Sequence, residues 1–289
     1  MSVNDQLVEG TRGLLVLDEY ARAAVGGSID FDALVAAALS AEDLSSAIST
    51  VVVDDVPGVG GTAGLMIGVR DRPATDPSRD LDGLIDAGPD LIEFRANLRP
   101  AETASGQPAI DVEHLVAGAS RAVERGVTPL VTVAIPDLGG HSRAVAFAVA
   151  GNALRTFFQE AGHRVDVSRL FLRVNMVSAG ARSPEPSTTE QVSSDTLELL
   201  GRHVPEDVPG VFFLSGGQSL DSACERLTAI AREARHRAVP WRLGFAFTRA
   251  IIEALPPTPG GPEAGSADRA AVQEALTSAS RRAAAALQV

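Results

Sequence analysis

The chain has 289 residues, with 37 Asp and Glu against 25 Lys and Arg, a net charge of -12. Nucleic acid and anionic membrane surfaces are recognised through a basic footprint, so neither is an expected partner. With 45% hydrophobic residues and one cysteine, Cys224, the composition is that of a large globular core without an internal disulfide.

All 25 residues of the Lys+Arg total are arginine; the sequence contains no lysine. Drift in a GC-rich genome and protection from adducts with a reactive aldehyde both account for this. Either way, no side-chain amine is available for an imine, a P-loop or a Ser-x-x-Lys dyad. No apolar run is long enough to span a bilayer. Residues 1–6 lack the basic start and apolar stretch of a signal peptide, so a cytoplasmic location is expected.

Short apolar runs predict strands at 13–18, 48–53, 64–69, 91–95, 129–134, 169–174, 211–215 and 243–247. Runs such as Leu14-Leu15-Val16-Leu17 suit strands covered on both faces. Amphipathic patterns predict helices at 111–125, 142–161, 188–203, 219–236 and 266–287. Eight strands in this alternation predict an α/β fold, a (β/α)8 TIM barrel. An open doubly wound sheet is the competing arrangement. The segments 100–108 and 256–265 read as loops, the latter a Pro/Gly-rich connector to the C-terminal helix, within one domain over residues 1–289.

Barrel chemistry sits where the strands end. After the seventh strand comes Leu214-Ser215-Gly216-Gly217-Gln218-Ser219, where adjacent glycines expose backbone N–H groups before a helix start. After the eighth, Thr248-Arg249 brings a guanidinium to the neighbouring strand end. Together they predict an anion site for a phosphorylated or otherwise anionic small molecule.

The chain resembles the class I fructose-bisphosphate aldolase family, segment by segment over nearly the whole barrel. The segment 13–19 resembles a first strand ending in a catalytic Asp-Glu, and Ile92-Glu93-Phe94-Arg95 resembles Ala-Lys-Trp-Arg. The segment 129–134, with Asp137 and His141, resembles Pro-Ile-Val-Glu-Pro-Glu followed by Pro-Asp-Gly-Asp-His. Leu172-Arg173-Val174-Asn175-Met176-Val177 resembles Leu-Lys-Pro-Asn-Met-Val, Leu-Ser-Gly-Gly-Gln-Ser is identical to the family's, and 241–249 resembles its last strand. The resemblance carries over Asp18, Glu19, Arg95, Asn175, Ser215, Gly216, Gly217 and Arg249.

The departures fall on the covalent chemistry. The family's imine lysine corresponds to Arg173, which stays protonated and is no nucleophile. The fourth-strand lysine corresponds to Glu93, the two glutamates of the fifth strand to Thr132 and Ala134, and the third-strand lysines to the neighbourhood of Gly68 and Asp71. Glu93 and Arg173 are expected to face each other in a bidentate ion pair. The resemblance then implies Asp18 and Glu93 as acid–base candidates, with Arg173 and Arg95 stabilising an enolate or oxyanion. Ser215, Gly216, Gly217, Arg249, Asn175 and Thr248 would bind substrate or its phosphate. The expected activity is lyase- or isomerase-type carbonyl chemistry without an imine, in a specialised biosynthetic setting. The alternative is an inactive pseudoaldolase acting as ligand sensor or scaffold. No cofactor is expected, and a homo-oligomer is left open because the family is commonly tetrameric.

Other features are weaker. The segment 56–61 lacks the G-x-G-x-x-G spacing of a dinucleotide loop. The five histidines are scattered, so no metal is expected and a metal-dependent lyase is disfavoured. His141 is a surface residue or a ligand contact at a strand end, Cys224 a core residue of a helix, and Tyr20 a side chain that narrows the pocket or bonds a ligand.

Overall fold

Strands whose alternate residues face two different apolar environments belong in a barrel wall. In a computed structural model, which describes residues 3–25, 30–54, 64–71, 80–98, 111–135, 139–255 and 266–289, eight such strands form one parallel sheet. They are β1 (Gly13–Val16), β2 (Ile48–Val53), β3 (Met66–Arg70), β4 (Leu91–Asn97), β5 (Thr128–Ala134), β6 (Phe171–Asn175), β7 (Gly210–Leu214) and β8 (Arg242–Ala246). Each pairs with the next in sequence, so there is no topological switch point and the doubly wound alternative falls. β8 comes back beside β1, and the Val16 N–H donates to Thr248 Oγ1 at 2.7 Å across the seam. The result is a nearly closed (β/α)8 TIM barrel. The segments 56–61, 100–108 and 256–265, Asp137 and the side chain of Tyr20 lie outside the described residues.

Helices cover the outside. α1 (Val3–Val8) precedes β1, while α2 (Glu19–Val25) and α3 (Phe31–Ser40) follow it. α4 (Leu81–Asp86), α5 (Val112–Glu124), α6 (Arg143–Ala161), α7 (Thr189–His203) and α8 (Leu220–Arg237) occupy the later connections. α9 (Thr248–Glu253) and α10 (Ser266–Ala285) complete the chain. The predicted starts at 111, 142, 188 and 219 are the caps themselves. Asp111, Ser142, Thr188 and Ser219 each accept a backbone N–H of the first turn, and Thr188 with Gln191 forms a full capping box. α3 went unpredicted although Asp30 caps it and Phe31, Leu34, Ala37 and Ala38 bury at helical spacing.

Strand parity sorts the core into two clusters. Leu15, Val51, Val69, Ile92, Val131 and Leu172 pack outward under the helices. Leu14, Val16, Met66, Leu91, Leu130 and Phe171 pack inside the barrel. Keeping the inner parity for two more residues gives Asp18, Glu93, Thr132 and Arg173, and for four more from Met66, past Gly68, gives Arg70. A charged layer therefore rests on an apolar floor at the C-terminal mouth, all five of its members buried.

Candidate active site

Parallel register sets Arg70 of β3 beside Glu93 of β4, and Thr132 of β5 beside Arg173 of β6. Three inward side chains are thereby brought onto one carboxylate. Arg173 Nη1 lies 3.2 Å from Glu93 Oε1, with the two side chains 2% and 0% exposed. Thr132 Oγ1 donates to the same oxygen at 2.6 Å, and Arg70 Nε lies 3.9 Å from Glu93 Oε2. The expected bidentate pair does not form: Arg173 Nε and Nη1 and Glu93 Oε2 have no hydrogen-bond partner, while Oε1 accepts the Thr132 hydroxyl.

Arg70 links that carboxylate to the next. Its Nη1 lies 3.2 Å from Asp18 Oδ2 and 3.3 Å from Glu19 Oε1, and Arg95 Nη1 meets the same Asp18 oxygen at 3.2 Å. Asp18 also accepts the Ala21 N–H at 3.0 Å, tying the network to the first turn of α2. Arg95 Nε is turned toward Asn97 Oδ1 at 2.8 Å. Neither Arg70 nor a role for Thr132 was expected. The third-strand resemblance pointed to Gly68 and Asp71, whereas Arg70 lies two residues beyond Gly68 on the inner face.

Burial pushes the Glu93 carboxyl upward, but Arg173, Arg95, Arg70 and the Thr132 hydroxyl outweigh it and hold it below the ordinary range. Burial draws the Arg173 guanidinium down to about 10, with Glu93 opposing the shift. Both groups are charged at neutral pH. Each helps to offset the desolvation of the other.

The glycine turn follows β7. Leu214 pairs with Ala246, so residues 215–217 and 248–249 leave neighbouring strand ends. Gly216 (φ 57°) and Gly217 (φ 74°) are both left-handed, a backbone that side-chain-bearing residues adopt only under strain. The Ser215 carbonyl accepts the Gln218 N–H at 3.2 Å, and the Ser219 hydroxyl accepts the Ser222 N–H at 3.3 Å to start α8. Ser215 is buried, and the Thr248 hydroxyl oxygen serves the barrel seam. Arg249 Nε is 3.8 Å from Glu253 Oε1 on a partly exposed stretch of α9. Asn175 is pinned by the Ile135 N–H, which donates to its Oδ1 at 2.7 Å. Asn175 and Gly216, with His141, line a cavity of about 20 Å³, room for roughly one water. Arg249 is not in its wall.

Outside the barrel wall, His114 of α5 sets Nε2 3.1 Å from Asp71 Oδ2 at the end of β3, with its ring edge-on to Phe94. The hydrogen bond to Asp71 raises the His114 pKa against a smaller opposing effect of burial. A raised folded value gives stability that is present below the unfolded pKa and lost as pH rises through the folded one. His114→Gln is therefore expected to cost about 1 kcal/mol near pH 5 and progressively less above pH 7 in urea titrations. Cys224 is partly buried against the core, as expected. Among the described residues, no group of three or more His, Cys, Asp or Glu could hold a metal ion.

A family model for class-I fructose-bisphosphate aldolase matches residues 84–288. The chain belongs to the class-I fructose-bisphosphate aldolase family. That stretch takes in β4 to β8, and with them Glu93, Arg95, Arg173, Asn175, the glycine turn and Arg249; Asp18 and Arg70 precede it. Among curated relatives, aldolase B of Mus musculus is 33% identical over 192 residues, 65% of this chain and 51% of its own length. The chloroplastic aldolase of Oryza sativa subsp. japonica is 37% identical over 139 residues, 48% of this chain and 35% of its own. The chain thus spans about half or less of these two relatives. The solved Plasmodium falciparum fructose-bisphosphate aldolase superposes with a TM-score of 0.78 at 24% identity, covering 99% of this chain and 92% of that one. At that identity the likeness shows the fold, a (β/α)8 barrel.

Proposed function

We propose that this aldolase-family chain binds a phosphorylated or otherwise anionic small carbonyl or sugar compound, and that it uses no lysine imine. One observation carries the reading. The residue that resembles the family's imine lysine is Arg173, which is out of water and 3.2 Å from an ionised Glu93. A guanidinium held there neutralises a carboxylate and offers no lone pair for attack on a carbonyl. The left-handed Gly216–Gly217 turn, next to the start of α8 and the strand end that carries Arg249, supports the anion half.

Between the two forms of this reading, the geometry favours binding without turnover. A carboxylate held below its ordinary pKa, with no exposed surface, is a weak and inaccessible base. A second reading, lyase- or isomerase-type chemistry, draws support from Asp18, where two guanidinium groups converge beside the partly exposed Glu19. There Asp18 would move the proton, and Arg95 would stabilise the developing oxyanion. A cytoplasmic location and a specialised biosynthetic setting belong to the proposal as well. No helix among the described residues is long and apolar enough to cross a membrane.

The test has two arms. Borohydride added to the protein with dihydroxyacetone phosphate is expected to leave the intact mass unchanged; a reduced adduct would overturn the imine-free reading. Calorimetry with the same ester is expected to show binding that Arg249→Gln weakens about 10- to 100-fold, the worth of one charged hydrogen bond. Equal affinity in wild type and variant would remove Arg249 from the site. Turnover that disappears in Asp18→Asn, with binding retained, would select the second reading.

A further inference from the structure

We infer that Asp71 and His114 are positioning residues for the mouth: together they form a pH-sensitive latch on Arg70, tight when His114 is protonated and slack when it is neutral. The inference stands whether or not the anion reading does. Residues that follow one another on a strand face opposite sides. At the end of β3, Val69 packs outward, Arg70 turns into the charged layer and Asp71 turns out again toward α5. The two charged side chains are the two ends of one short lever, with a single rigid peptide unit between them.

Two contacts of the His114 ring lead to the mouth. Its Nε2 lies 3.1 Å from Oδ2 of Asp71, whose side chain is 4% exposed. The Asp71 N–H donates to the Glu93 carbonyl at 2.9 Å, so Asp71 cannot shift without straining β4 as well. The His114 ring also stands edge-on to Phe94, which lies between Glu93 and Arg95 in the chain. The helix side of the latch is fixed. The His114 N–H donates to Asp111 Oδ1 at 2.9 Å in the cap of α5. A Cβ on Gly118 would come within 2.3 Å of Phe94 Cε1, so the Phe94 ring is seated in the slot that this glycine leaves in α5. A change of force at His114 therefore passes to β3 and β4 and is not absorbed by α5.

Protonation supplies the force. The charged groups acting on the ring are Asp71, from the end of β3, and Asp111, from the cap of α5, while β4 presents the ring of Phe94. The hydrogen bond to Asp71 favours the protonated ring, burial opposes it, and the charges of Asp71 and Asp111 add to the first. A protonated ring holds Asp71 by an ion pair as well as a hydrogen bond, and deprotonation removes the charge and leaves at most the bond. Arg70 feels the difference, because its guanidinium lies between Asp18 and Glu19 on one side and Glu93 on the other. Rising pH slackens Arg70 and leaves Asp18 chiefly to Arg95.

The test follows both ends of the lever by NMR between about pH 5 and pH 9. The Arg70 Nε resonance is expected to shift with the same midpoint as the His114 ring, a midpoint above the ordinary histidine value. A pair that only braced the wall would leave that resonance still. His114→Gln keeps a donor for Asp71 but cannot titrate, so Arg70 Nε is expected to stay near its alkaline wild-type position throughout. Asp71→Asn removes the charge that the protonated ring holds, so the His114 midpoint is expected to fall and Arg70 to stop following it. A flat Arg70 resonance in wild type while His114 titrates overturns the inference. So does an Arg70 shift that keeps its midpoint in His114→Gln, since another group would then be its source. Should Asp71→Asn fail to fold, wild type and His114→Gln decide between them.

Discussion

Arg173→Met is expected to destabilise the protein by about 3–5 kcal/mol, measured by urea denaturation at pH 7. The cost comes less from the lost contact than from Glu93, which would remain buried with one of its three guanidinium neighbours removed. Replacing both partners, Glu93→Leu with Arg173→Met, is expected to recover most of the loss, since a buried ion pair is often matched by apolar residues of similar volume. Arg70 tolerates the double change because it still has Asp18 and Glu19. The pH dependence has opposite signs in the two proteins. In wild type the Glu93 carboxyl is held low, so its contribution is present above the unfolded pKa and is lost as pH falls through the folded one. In Arg173→Met burial gains over the remaining charges, and protonation relieves the penalty. The stability gap should therefore narrow below about pH 4. A gap under about 1 kcal/mol at pH 7 would mean the pair is not the keystone of the mouth.

The strands were legible because each is a short apolar run, but the choice of barrel over open sheet rested on each strand pairing with the next, which no single run contains. Their ends were legible only to within a residue or two: β3 extends to Arg70 where 64–69 was expected, which is why Arg70 was passed over. Counting parity from Met66 through Gly68 would have placed it inside. Glu93 and Arg173 were legible as a pair because the family resemblance set them facing each other across one pocket, where buried charge demands compensation. How Glu93 divides its two oxygens was not, because it depends on where the long side chain of Arg70 reaches across the curve of the barrel. The bond between Asp71 and His114 joins residues with no local pattern in common, and only the packing of α5 over β4 and β5 reveals it. The Thr248 hydroxyl oxygen accepts the Val16 N–H where β8 returns to β1, a closure that no local window of sequence contains.

The charged mouth is only as fixed as the floor beneath it, and Phe171→Ala is expected to show this with a loss of about 3–5 kcal/mol. Phe171 lies two residues before Arg173 on the same face of β6, is fully buried, and has its ring centroid 6.0 Å from that of Phe212. The ring also comes within 3.1 Å of the place a Cβ on Gly210 would take, so it fills space left by a residue without a side chain. Strands cannot close over the hole as helices slide over a cavity, because neighbouring strands are hydrogen-bonded on both sides. For a chain of this size, each kcal/mol corresponds to about 2–4 °C in melting temperature, so a fall of roughly 10 °C is expected. Val145→Ala on α6 is the control: that side chain is 39% exposed, and its loss should stay within about 0.5 kcal/mol. If the two variants melt together, the barrel interior is loosely filled, and the fixed geometry of Glu93, Arg173 and Arg70 loses its support.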